Sequence, residues 1–240
     1  MSVYAISDLH LAFFTEKPMD VFGDHWEDHA IKIKENWTRT VKENDLVVLP
    51  GDISWAMTLD EFLSDIMFIE ELPGHKIISK GNHDYWWQTA KKLKEFKSSN
   101  RIETVTFLHN NAYIFEHEGK EYSICATRGW MCPGDTDFNQ DDMKVYKREL
   151  QRLETSIQKG MNGEREMLVF IHYPPFNNKK EESGFTEILE RYKIKKSFYG
   201  HLHGRMVHEK ALIGKLDNES LTEYYLVSCD YLGFSPLKIL

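Results

Sequence analysis

Five short apolar runs in this chain each end on a residue that can bind a metal. Val3 to Ser7 leads into Asp8-Leu9-His10, and Leu46 to Leu49 leads through Pro50 into Gly51-Asp52. Lys76 to Ser79 precedes Gly81-Asn82-His83-Asp84, Met167 to Ile171 leads into His172, and Ser197 to Tyr199 leads into Gly200-His201-Leu202-His203. Runs this short suit buried strands better than helices, and a glycine at the end of one lets the chain turn sharply. If the five strands present the same edge, their polar residues converge at the carboxyl ends, where open α/β folds build their sites. A Gly-Asn turn or a His-Asp pair alone is ordinary loop chemistry. The repetition is what constrains the fold.

Between the runs, helical spacing of Ile33, Trp37 and Val41 predicts an amphipathic helix from about Glu27 to Glu43. Thr58 with Glu61 predicts a capping box and a helix to about Leu72, stopped by Pro73-Gly74. Further helices are expected at Trp86 to Lys97, Asp141 to Gln158 and Thr186 to Tyr192. Ala112 to Glu116 and Glu121 to Ala126 flank Glu118-Gly119-Lys120 and predict a hairpin, as do Met206 to Lys215 with Glu223 to Ser228. Leu11 to Asp28 mixes aromatic and charged residues irregularly and is expected to be an ordered loop at the mouth of the site. With ligand candidates running from residue 8 to residue 203 and no linker between them, residues 1–240 are expected to form a single domain.

Composition narrows the partners. The formal charge is −8 with both signs interspersed, so a long nucleic acid or an anionic membrane has no basic track to follow. No run approaches the ~20 apolar residues that span a bilayer, and a strand candidate at Val3 leaves no room for a signal peptide, so a cytoplasmic protein is expected. Cys125, Cys132 and Cys229 fit neither a disulfide framework nor a thiolate zinc site.

Written together, Asp8-x-His10, Gly51-Asp52, Gly81-Asn82-His83-Asp84, His172 and Gly200-His201-x-His203 resemble the signature of the calcineurin-like metallophosphoesterases, block for block and in order. The resemblance implies a four-layer αββα sandwich, two mixed sheets flanked by helices, with a metal site at the strand ends. It implies that Asp8, His10 and His203 hold one metal ion, that Asn82, His172 and His201 hold another, and that Asp52 bridges them. Oxygen ligands mixed with imidazoles suit Mn, Fe or Zn. Two divalent ions against two aspartates leave a site charge of about +2, or about +1 with a bridging hydroxide, still attractive to a phosphate ester.

The resemblance also implies that His83 helps the leaving group depart while Asp84 orients it; a purely structural His-Asp pair is the alternative. Arg128, placed after a strand, is a candidate contact for a substrate phosphate, with a surface ion pair as the alternative. The implied reaction is hydrolysis of a phosphate mono- or diester by the metal-bridging hydroxide. The Ser/Thr phosphatases of the family carry Gly-Asp-x-x-x-Arg-Gly, and this chain has Gly51-Asp52-Ile53-Ser54-Trp55 without the arginine. A small ester or a nucleotide is therefore the expected substrate. A scaffold that keeps the fold without turnover is the competing reading, and retention of every ligand position weighs against it.

Overall fold

A computed structural model describes residues 1–15, 17 and 19–240. Among these described residues eleven strands, numbered in chain order, form two sheets. The first contains β1 (Val3–Ala5), β2 (Leu46–Pro50), β3 (His75–Ser79) and β4 (Val105–Phe107), paired in parallel in that order. The second contains β5 (Ala112–His117), β6 (Lys120–Thr127), β7 (Glu166–Ile171), β8 (Lys196–Tyr199), β9 (Gly214–Lys215) and β10 (Glu223–Leu226). There β6, β7, β8 and β10 run parallel, with β5 and β9 as antiparallel edges. The last strand, β11 (Leu237–Lys238), returns to pair antiparallel with β1.

Strands buried on both faces need apolar residues at every position, and β2 (Leu46-Val47-Val48-Leu49-Pro50) supplies them. Its side chains alternate: Leu46 and Val48 meet Leu168, Phe170 and Phe198 of the second sheet, while Val47 and Leu49 face helices. Those helices are α1 (His29–Thr40), α2 (Leu59–Glu70) and α3 (Ala90–Ser99), whose Trp37, Phe62 and Phe96 share the outer core of the first sheet. On the far side α4 (Gln140–Gly160) and α5 (Gly184–Arg191) cover Val169, Ile171 and Tyr199. Helices, sheet, sheet and helices make the four layers that the family resemblance implied. Backbone bonds join the two sheets beside the strand ends, Ser7 N donating to Val227 O (2.8 Å) and Cys229 N to Ser7 O (3.0 Å).

Two elements and one cap depart from expectation. The helix expected from Trp86 begins at Ala90, because Thr89 caps it by accepting from Lys92 N. Trp86 instead points inward, stacked on Phe62. The arm of the last hairpin expected from Met206 is helical at first, as α6 (Arg205–His208), and only Gly214–Lys215 pairs with β10. In the capping box expected of α2, Thr58 accepts from Glu61 N, but the Glu61 carboxylate reaches Met57 N. Within Leu11 to Asp28 the described residues form two short 3-10 turns, Met19–Phe22 and Asp24–Trp26; Glu16 and Pro18 lie outside the described residues. No helix among the described residues is long and apolar enough to cross a membrane.

Candidate metal centre

Asp8 and His10 follow β1, Asp52 follows β2, Asn82 follows β3, His172 follows β7, and His201 and His203 follow β8, so parallel pairing sends all seven to one rim. The turns that carry them are tight. Asp8, His10, Asp52 and His201 all have left-handed backbones, with φ of 60°, 45°, 53° and 70°. Such conformations cost on the order of 1–3 kcal/mol each outside glycine and persist where surroundings over-determine them. Here the loops brace one another: Asp8 N donates to Gly51 O (3.0 Å) and His10 N to Asp52 O (3.1 Å). His201 N donates to the Asp8 carboxylate (3.1 Å). Gly81 is required by close approach, since a Cβ there would overlap the Asp52 backbone and carboxylate.

Two groups of donors result. Asp8, His10 and His203 bring ligand atoms within 4.8 Å of one another, and so do Asp52, His172 and His201. In the first, His203 Nε2 lies 3.2 Å from His10 Nε2 and 3.2 Å from Asp8 Oδ1. In the second, Asn82 Oδ1 lies 2.8 Å from His172 Nε2 and 2.9 Å from His201 Nδ1. Asp52 Oδ2 sits between the groups, 3.3 Å from His172 Nε2 and 3.9 Å from His10 Nε2.

The donor set fits a pair of cations. His172 Nδ1 faces the carbonyl of Pro50 (3.0 Å), which can only accept, so Nδ1 carries the proton and Nε2 offers a lone pair. His203 Nδ1 faces the Asp230 carboxylate (3.0 Å) with the same result. Imidazole, amide and carboxylate donor atoms therefore converge on two points, each suited to a proton or a metal ion. Nitrogen ligands about 2.0–2.1 Å from a tetrahedral zinc lie about 3.4 Å apart, close to the spacing seen here.

Protonation follows the same geometry. Burial lowers His172 and His203, but Asp52 and Asp8 outweigh it and hold His172 up at about 9; Asp8 and Asp230 hold His203 up at about 10. Burial pushes His10 and His201 down to about 3, which keeps both neutral as ligands must be. Burial alone would raise Asp8 and Asp52, yet the surrounding imidazoles hold both below the ordinary carboxylate range.

His83 stands at the opening of the site, its side chain one-third exposed, with Nε2 4.0 Å from Asp52 Oδ2. Its backbone N–H donates to Asp52 Oδ1 (2.7 Å), and burial lowers its pKa. Asp84 does not orient it. The Asp84 carboxylate instead accepts from the backbone N–H of Gly81 (2.7 Å), Asp52 (3.0 Å) and Ile53 (2.9 Å), and from Trp86 Nε1 (3.1 Å). Occupied by those donors, it locks the Asp52 loop onto the Gly81 turn and has no lone pair aimed at His83. Arg128 is bound to the buried Glu149 (3.3 Å) and stacked on Trp130 (4.4 Å), so its guanidinium is anchored on the flank rather than set over the donor groups.

Three residues of the site escaped the sequence reading. Asp230 holds His203, Gly204 N (2.9 Å) and, at 3.5 Å, His208. Trp55 stacks on His10 (4.9 Å) and packs against His83 (4.4 Å). Trp26, from the Leu11 to Asp28 loop, lies edge-on to His203 (5.5 Å). The one signal for Asp230 is its place two residues after the apolar run Glu223 to Ser228, which also fits a hairpin arm.

No curated protein matches the chain by sequence. Among solved structures, a protein of unknown function from Aquifex aeolicus, AQ665, is 17% identical with a TM-score of 0.52, over 99% of this chain and 95% of that one. The phosphopantetheinyl hydrolase PptH of Mycobacterium tuberculosis is 12% identical with a TM-score of 0.57, over 100% of this chain and 95% of that one. At these identities both speak for the fold alone. Residues 1–205 match the family model described as calcineurin-like phosphoesterase, a span that holds every predicted ligand from Asp8 to His203. That match covers most of the chain, and the chain belongs to the calcineurin-like phosphoesterases.

Proposed function

We propose that this chain hydrolyses a phosphate mono- or diester of a small molecule or nucleotide, using two metal ions. Asp8, His10 and His203 would hold the first, Asn82, His172 and His201 the second, and Asp52 would be shared by both. The observation that carries this is the position of Asp52 Oδ2, within 4 Å of an imidazole from each group. When bound, the cations supply an activated water, its pKa lowered from 15.7 to about 7, and offset charge on the phosphoryl oxygens.

The remaining chemistry belongs to side chains. His83 is free to meet the leaving oxygen, because only its backbone is tied to Asp52. Burial lowers its pKa; the neutral ring donates an N–H hydrogen bond to that oxygen, and it is the protonated ring that passes a proton and ends as neutral imidazole. Such assistance is worth typically 10²–10⁴-fold. Trp55 and Trp26 shield His10 and His203 from water and fix their planes.

A cavity of about 540 Å³ opens beside His201 and Tyr173 and is lined by Phe176, Leu202 and Met206, giving the organic part of an ester an apolar surface. PptH is named for a phosphopantetheinyl group, which we add to the substrates to be tested.

The test is hydrolysis of 4-nitrophenyl phosphate and bis(4-nitrophenyl) phosphate by Mn²⁺-loaded protein. Turnover of at least one ester, abolished in Asp52→Ala, is expected. Failure to turn over either ester with both ions bound would contradict the proposal.

A further inference from the structure

A second cavity of about 320 Å³ is lined by Ser79 and Lys80 at the end of β3 and by Ala126, Thr127 and Arg128 at the end of β6. Lys80, Arg128 and Arg152 line it, with Trp87 and Leu108 as an apolar wall. The acid in its lining is Glu149, whose side chain is 1% exposed. Glu149 is already engaged: Oε1 accepts from Arg152 (2.7 Å) and Arg128 (3.3 Å), and Oε2 from Thr127 (2.9 Å). Asp84 also lies within electrostatic range of Lys80, but its oxygens are filled by N–H donors. Lys80 Nζ has no hydrogen-bond partner among the described residues, and Arg128 Nε is buried without one. Lys80, Arg128 and Arg152 thus line a cavity whose one acid, Glu149, also has Arg148 at 3.7 Å, in a protein whose net charge is −8.

The backbone ties the cavity lining to the candidate ligands. Lys80 precedes Asn82 by two residues, so their Cα atoms are at most about 7.6 Å apart. His172 N donates to Thr127 O (3.2 Å) and Tyr173 N to Arg128 O (2.9 Å), which sets the end of β6 directly against the His172 strand.

We infer that Lys80, Arg128 and Arg152 form a second anion-binding subsite, and that the substrate carries a second anionic group, a phosphate or a carboxylate, beyond the ester that is cleaved. This rests on the phosphoesterase reading above. An anion seated there takes up the unpaired Nζ–H groups of Lys80 and relieves the repulsion among the three cations. Charge-assisted bonds of that kind are the strong ones.

The experiment is calorimetric binding to the Mn²⁺-loaded protein of three compounds whose C–P bonds do not hydrolyse: phenylphosphonate, benzene-1,4-diphosphonate and 4-carboxyphenylphosphonate. A tenfold or greater advantage of a two-anion compound over phenylphosphonate is expected, and which compound shows it identifies phosphate or carboxylate. Lys80→Gln and Arg152→Gln should each shrink that ratio by about tenfold. Equal affinities for all three compounds, or an advantage unchanged in both variants, would overturn the subsite. Binding is read without turnover, so aryl phosphate hydrolysis separately reports whether the phosphoesterase reading holds.

Discussion

Asp230 Oδ1 lies 3.0 Å from His203 Nδ1, and the Asp230 side chain is fully buried. A carboxylate there fixes the imidazole tautomer and raises the basicity of Nε2, the atom turned toward Asp8 and His10. Burial alone would raise Asp230, but the bonds from His203 and His208 hold it well below the usual range, so it is an anion at neutral pH.

Asp230→Asn is therefore expected to weaken metal binding by Asp8, His10 and His203 by about 10–100-fold. Binding by Asp52, His172 and His201 should change little. Calorimetric titration with Mn²⁺ checks this through the loss of one of two affinities.

Asp84 and His83 separate by the same logic. In Asp84→Asn an amide NH₂ would face backbone donors that now meet a carboxylate, and each unsatisfied buried group costs about 1–3 kcal/mol. The variant should melt lower and lose metal. His83→Ala should keep its melting temperature and both metals while losing about 10²–10⁴-fold in rate. Thermal melts, metal analysis and aryl phosphate kinetics on both variants decide the matter; metal loss in His83→Ala would refute this division of labour.

In the metal-free protein, pH should act through four histidines. Below the unfolded value of 6.5, unfolding takes up protons at His10 and His201, which are held near 3 in the fold, so their contribution to stability rises with pH. Above 6.5 the sign reverses. His172 and His203 keep protons to about 9 and 10 in the fold and release them on unfolding, so their contribution is lost as pH rises. The contribution of these four groups should peak near pH 6.5, as urea titrations across pH can show. At pH 7 metal uptake should release about two protons, measurable by calorimetry in buffers of different ionisation enthalpy.

Much of this site could be read from residue order, because a ligand directly after a buried strand has little freedom in where it ends up. Asp8, Asp52, Asn82, His172 and His203 meet for that reason. What escaped depends on contacts that have no local signature. Asp84 looks like a partner for its neighbour His83, and only the fold shows that its oxygens meet Gly81, Asp52 and Ile53 instead. Asp230 was hidden because Glu223 to Ser228 reads equally well as a hairpin arm. The start of α3 was misplaced because Tyr85-Trp86-Trp87 carries apolar residues in a turn, where Trp86 fills the core beneath Phe62. The left-handed backbones at Asp8, His10, Asp52 and His201 belong to residues other than glycine, so no composition signal announces them.

The central claim is that one rim of this fold gathers two cations, with Asp52 between them. The most direct measurement is Mn²⁺ stoichiometry of the metal-free protein beside that of Asp52→Asn, with aryl phosphate hydrolysis followed through the same titration. Two equivalents in the parent protein, weakened together by the substitution, with hydrolysis appearing as the second ion binds, is the predicted result. A single equivalent, or two that do not respond to Asp52→Asn, would contradict it.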